Sequence, residues 1–192
     1  MTFIKNTIKE SANVKLKILK YCVGDIEGSI ELMSEAISKG RKIIWCGNGG
    51  SAADAQHMAA ELMGGLVSHS RKPIPSIALT TDSSFITAWS NDTDYSTIFS
   101  RQIEGLGNQG DILVAISTSG NSVNILNAIE TAKKMDLKIV IFTGESGGKM
   151  KSMGNFQIRI PSSNTQRIQE GHLLVEHIIC ESLEAIIIER EN

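Results

Sequence analysis

The stretch from Arg41 to Leu62, RKIIWCGNGGSAADAQHMAAEL, constrains the fold more than any other part of the chain. A short apolar run (Ile43, Ile44, Trp45, Cys46) passes through a Gly-rich turn (Gly47, Asn48, Gly49, Gly50) and opens at Ser51 into an alanine-rich segment of helical character. That order is strand, loop, helix. Ser51 is the expected N-cap, the glycines let the backbone come close to a ligand, and the helix start presents unpaired N–H groups at its positive end. A phosphate or an oxygen-rich sugar is the natural guest of such a turn.

A second unit of the same kind follows. Asp111 to Ile116 has the continuous apolar character of a buried parallel strand, and it runs into Ser117, Thr118, Ser119, Gly120, Asn121 and Ser122 before a helix to about Met135. Hydroxyls and N–H groups at a helix N-terminus suit a phosphate, although a hydroxyl-rich cap with no ligand would read the same way. Pro73 to Leu79, Leu137 to Thr143 and Phe156 to Ile160 supply three more strands. Strands alternating with helices predict an α/β fold, a five-stranded parallel sheet covered on both faces, with ligands bound beyond the carboxyl ends of the strands.

The connecting segments complete the expectation. Residues 1–39 read as an N-terminal helical arm, two helices or one bent helix interrupted near Gly24–Asp25, whose uses are to cover the sheet and to pack against another subunit. Residues 40–192 form the core of what is expected to be one domain. Asp82 to Trp89 is expected to form a turn or two of helix, Ser90 to Asp94 a loop or cap, Phe99 to Leu106 a helix, and Gly144 to Met153 a loop with a short helix. A last helix from Thr165 to Glu189 is apolar over much of its circumference, which suggests a subunit interface.

Composition narrows the function classes. Charged residues make up 21% of the chain and the net charge is −2, so no basic excess points to nucleic acid. The N-terminus is peppered with Lys and Glu, and no apolar run is long enough to span a bilayer, so the expected location is the cytoplasm. Three cysteines, Cys22, Cys46 and Cys180, lack any CxxC spacing and are expected to be small buried side chains.

Two helices carry groups able to do chemistry. His57 and Glu61 are four residues apart, hence on one face, where they could hold a metal or a reacting group, or make only an ordinary helix contact. On the last helix Gln169, His172, Glu176 and His177 are polar exceptions in an apolar run. Gln169 and His177 lie two turns apart, roughly 12 Å along the axis, and His172 with Glu176 repeats the His-x-x-x-Glu spacing. Spacing leaves both pairs open.

The run Cys46 to His57, the pair Asn91–Asp92, the run Ser117 to Ser122, and Arg167 to His172 with Val175–Glu176–His177 together resemble the sedoheptulose 7-phosphate isomerases, or phosphoheptose isomerases, of the sugar isomerase (SIS) domain family. The resemblance implies a three-layer αβα sandwich with a flavodoxin-like sheet, assembled as a homotetramer with zinc in sites at subunit interfaces. It implies His57, Glu61, Gln169 and His177 as zinc ligands. Asn48, Gly49, Gly50, Ser51, Glu61, Asn91, Asp92, Ser117, Thr118, Ser119, Ser122 and Gln169 match positions that hold the sugar phosphate. Glu61 and His177 match the residues that move protons, and His172 and Glu176 become supporting residues. Relatives often carry an arginine in a Gly-Arg-Phe run after the first helix; here the run is Gly64-Gly65-Leu66, and Arg71 or Lys72 is the alternative source of charge. Two other readings fit the same motifs: an isomerase of a pentose or hexose phosphate, and a non-catalytic relative that regulates the initiation of DNA replication.

Overall fold

The computed structural model describes residues 1–191. Helices α1 (Thr2–Tyr21) and α2 (Val23–Ser38) form the N-terminal arm. The break between them falls at Cys22 rather than at Gly24–Asp25. The Cys22 N–H donates to the Ile18 carbonyl and the Cys22 carbonyl accepts from Ile26, so the helical ladder is almost continuous through the bend. The thiol of Cys22 is buried and points at the Arg159 carbonyl, 3.4 Å away. Anchoring by that side chain, not the freedom of a glycine, sets the corner.

The core alternates strands and helices: β1 (Ile43–Cys46), α3 (Gly50–Gly64), β2 (Ser76–Ala78), α4 (Ser83–Asp92), a 3-10 turn at Tyr95–Thr97, α5 (Ile98–Leu106), β3 (Ile112–Ile116), α6 (Val123–Lys134), β4 (Lys138–Gly144), a second 3-10 turn at Gly148–Met150, β5 (Phe156–Ile160) and α7 (Thr165–Glu191). The five strands are all parallel, in the order β2-β1-β3-β4-β5. The chain leaves β1 in one direction along the sheet and β3 in the other, so the loops after these two strands flank the point where strand order reverses. Ligands in such sheets bind there.

Alternation along the strands divides the core. Ile43 and Trp45, Ile112 and Val114, and Val140 and Phe142 face the layer formed by α1, α2, α3 and α7. Ile44 and Cys46, Leu113 and Ala115, and Ile139 and Ile141 face the layer of α5 and α6. Side chains of period two on strands buried on both faces give this arrangement, and they explain why the strands read as unbroken apolar runs. All three cysteines are buried and free.

Two further expected boundaries shift. The strand expected over Pro73–Leu79 shortens to Ser76–Ala78 because two prolines lack the N–H a ladder needs; Pro75 still lends its carbonyl to the Ile43 N–H. The expected loop at Ser90–Asp94 is helical through Asp92. Ser90 and Thr93 return their hydroxyls to the Ile86 and Trp89 carbonyls, so these polar side chains satisfy the helix instead of ending it. Asp82 caps the start by accepting from the Phe85 N–H at 2.9 Å. No described helix is long and apolar enough to cross a membrane.

Candidate active site

The turn after β1 places Asn48, Gly49 and Gly50 at the carboxyl edge of the sheet. Helix α3 starts one residue before the expected cap: Gly49, at φ +57°, is the N-cap, and its carbonyl accepts from Ala52 and Ala53. A left-handed glycine turns the chain early, and Ser51 is carried inward, only 3% exposed. Ser51 therefore belongs to the first turn of the helix and is not its cap. Gly50 touches Gln169 of α7: a Cβ there would stand 2.3 Å from the Gln169 amide nitrogen.

Asn48 is held on two sides. Its amide and that of Asn124, at the start of α6, exchange hydrogen bonds at 2.9 and 2.8 Å, and the Tyr95 hydroxyl donates to the Asn48 oxygen at 2.9 Å. Asn91 and Asp92 are exposed at the end of α4, joined by a 2.8 Å bond from the Asn91 amide to the Asp92 carboxylate.

The loop after β3 brings its hydroxyls together. Ser117 is buried with its Oγ 3.1 Å from that of Ser122, the N-cap of α6. Gly120, at φ +65°, presses on the loop after β4 so closely that a Cβ would meet the Gly147 carbonyl at 2.1 Å. Thr118 and Ser119 open onto a cavity of about 270 Å³ shared with Ser146, Ser162, Ser163 and Glu145. Hydroxyls beside a helix N-terminus are groups able to receive an anion.

A second centre lies further along α3 and α7. One ligand atom each from His57, Glu61 and His177 lie within 4.8 Å of one another. His57 Nε2 is 3.0 Å from Glu61 Oε1, and the His57 and His177 rings meet edge to face at 5.0 Å between centroids. The Leu173 carbonyl accepts from His177 Nδ1 at 2.8 Å, which leaves the Nε2 lone pair of that ring directed elsewhere. Two imidazoles and a carboxylate form the donor set that zinc takes in catalytic sites, so the residues fit the ion. Gln169 stands at the level of Gly50, seven residues before His57, roughly 10 Å along the helix axis. Within one chain it joins the Gly-rich turn and not this centre.

Behind the three groups, Asp54 and Glu176 bury carboxylate oxygens that have no hydrogen-bond partner among the described residues. Burial raises the Asp54 carboxyl above its ordinary range, with His57 and His177 opposing the rise. Burial, and then the nearby Asp54, push Glu176 well above the carboxylate range. His172 faces the sheet instead, giving its Nε2 to the Thr143 carbonyl at 3.1 Å with its ring edge-on to Phe142.

Arg71 does not supply the charge that relatives take from their arginine. It is buried, its Nε donates to Glu184 Oε1 at 2.8 Å, and its Nη2 donates to the Glu61 carbonyl at 2.9 Å. Glu184 also accepts from the N–H groups of Leu66, Val67 and Ser68. Burial alone would raise the Glu184 carboxyl, but these four donors together hold it below its ordinary range. The pair fixes the loop that follows α3.

Sequence reasoning passed over Tyr95, Asn124 and Glu184. Glu184 had a signal, as one of three acids, with Glu176 and Glu181, inside the apolar run of the last helix. Tyr95 and Asn124 had none, because each acts through a partner distant in sequence.

A model of the SIS domain matches residues 8–144. The chain is 47% identical over 192 residues to a phosphoheptose isomerase of Shewanella denitrificans, covering 98% of this chain and 97% of that one. It is also 47% identical over 182 residues to the phosphoheptose isomerase of Akkermansia muciniphila, covering 95% of each. A solved phosphoheptose isomerase from Francisella tularensis superposes with a TM-score of 0.92 at 36% identity, over 96% of this chain and 97% of that one.

Proposed function

Because the chain belongs to the phosphoheptose isomerases of the SIS-domain family, we propose that it converts sedoheptulose 7-phosphate into D-glycero-D-manno-heptose 7-phosphate, an early step of heptose biosynthesis. One observation carries the reading at the level of this chain: His57, Glu61 and His177 converge to within 4.8 Å on the two helices that also bear Gly50 and Gln169.

The substrate's phosphate lies in the loop of Ser117, Thr118, Ser119 and Ser122, where hydroxyls and the α6 N-terminus receive negative charge. Asn48, Gly49, Gly50 and Ser51, with Asn91, Asp92 and Gln169, line the sugar. Glu61 takes a proton from C1 of the ketose as the C1–C2 double bond of the enediol forms, and the C2 oxygen gains a proton. Glu61 then returns a proton to C2 while the C1 oxygen loses its own, and the aldehyde results. His177 serves the two oxygens through Nε2, the nitrogen that the Leu173 carbonyl leaves free, and a metal held there would have to release it for that step. His57, Glu61 and His177 would hold a zinc ion, which when bound would supply Lewis acidity toward those oxygens.

Gln169 completes the ligand set only from another subunit, since within its own chain it sits beside Gly50. A homotetramer in the cytoplasm, with sites shared between neighbours, accounts for that spacing and for the apolar α7.

The reading is tested by incubating purified protein with sedoheptulose 7-phosphate and following the sugar by NMR, with ribulose 5-phosphate and fructose 6-phosphate in parallel. Formation of the aldoheptose alone supports it. Turnover of a pentose or hexose phosphate alone would reassign the substrate, and no turnover with metal supplied would point to a binding role. Metal analysis of the protein should find about one zinc per chain, falling to background in His57→Ala and His177→Ala with the circular dichroism unchanged.

A further inference from the structure

The Asn48 side chain has a small inventory of polar positions, and most of them are already in use. An asparagine amide offers two N–H donors and an oxygen with two lone pairs. The Asn48 oxygen accepts from Asn124 Nδ2 at 2.8 Å and from the Tyr95 hydroxyl at 2.9 Å, which fills both lone pairs. One Asn48 N–H is given to Asn124 Oδ1 at 2.9 Å. A single N–H remains for anything outside the chain.

The three residues come from three separate elements. Asn48 sits in the turn after β1, Asn124 in the first turn of α6 beyond the serine loop, and Tyr95 in the 3-10 turn just after Asn91 and Asp92. Asn124 is 3% exposed, while Tyr95 is 51% exposed. Asn127 of α6 ties the same 3-10 turn down again by donating to the Ser96 carbonyl at 2.9 Å. One amide thus fixes the relative position of the segments that the proposed function assigns to the sugar and to its phosphate.

We propose that Tyr95 and Asn124 are positioning residues that clamp Asn48 so that it meets the sugar phosphate as a donor only, through its one uncommitted N–H. Neither residue needs to touch the substrate. The inference rests on the reading that Asn48 binds substrate, and it adds a direction: Asn48 recognises an acceptor oxygen. A freely rotating amide would present its oxygen and nitrogen to the substrate about equally, and the orientation lost to that freedom is what the clamp removes.

The test is a double-mutant cycle in the full-length protein, with kcat and KM for sedoheptulose 7-phosphate measured for Tyr95→Phe, Asn48→Ala and the double variant. Tyr95→Phe removes one hydroxyl from a half-exposed ring and should fold normally, which circular dichroism and the melting temperature check. It should lower kcat/KM by roughly two- to tenfold, the range of one hydrogen bond, and it should have no further effect once Asn48 is alanine. Asn124→Ala should behave in the same way against Asn48→Ala. A purely structural role, or a direct contact of Tyr95 with substrate, predicts instead the same fold loss in both backgrounds, and that result would overturn the clamp. Full kcat/KM in Asn48→Ala would show that Asn48 does not bind substrate, a failure of the underlying site reading that the cycle separates from a failure of the clamp.

Discussion

At the scale of single residues, burial decides which polar groups are available for chemistry. His172 matches the spacing expected of a ligand, yet it lies in the core with no exposure, and burial pushes its imidazole down to about 4 against the weaker upward pull of the Thr143 carbonyl. The unfolded chain takes up this proton near pH 6.5 and the folded chain only near 4, so between these values the unfolded state binds more protons at this site and the His172 contribution to stability falls as the pH is lowered, while the raised carboxyls of Glu176 and Asp54 act in the opposite direction. The interval corresponds to about 3 kcal/mol. Denaturant unfolding at a series of pH values should therefore show that His172→Gln, which keeps a donor for Thr143 and cannot titrate, loses less stability than the wild type between pH 6.5 and 4. An equal loss in both proteins would place the acid sensitivity elsewhere. Sequence spacing could not separate His172 from His177, because the choice depends on which side of α7 meets the sheet. His177 is presented to α3 and His172 to β4.

At the scale of elements, what the sequence made legible was the alternation of strands, turns and helices, and what it concealed was local hydrogen bonding. The apolar runs of β1, β3, β4 and β5 stand out because both faces of the sheet are covered. The end of α4 did not, since Ser90 and Thr93 read as loop formers until their hydroxyls are seen returning to the helix. Arg71 reads as surface charge until Glu184, 113 residues away, is found beside it. The serine loop was visible in its composition, but its dependence on Gly120 lies in the contact with the next loop. Gly120→Ala combines a positive φ with a Cβ 2.1 Å from the Gly147 carbonyl, so something must move. The expected result is a rise in KM for the sugar phosphate of roughly tenfold or more together with a lower melting temperature, as expected for about 1–3 kcal/mol of local strain. Unchanged KM would separate this loop from phosphate binding.

At the scale of the whole molecule, the proposed function assigns two chemical duties to two places. The turns proposed to accept the anion sit at the carboxyl edge of the sheet, where strand order reverses. The histidine and glutamate centre lies further along the same pair of helices. Gln169 stands against Gly50 and His177 against His57, two turns apart on α7, and assembly of several copies is the proposed way of bringing both duties to one substrate. Within the histidine and glutamate centre, Glu61 is both a candidate ligand and the proposed carbon base. The measurement that bears most directly on this account is the rate at which purified Glu61→Gln converts sedoheptulose 7-phosphate, beside the wild type and with fold and zinc content verified in both. The account predicts a loss of kcat of roughly 10²- to 10⁴-fold in a folded protein. A variant that is folded and turns over within a fewfold of the wild type would contradict it, because proton transfer would then be carried by another group.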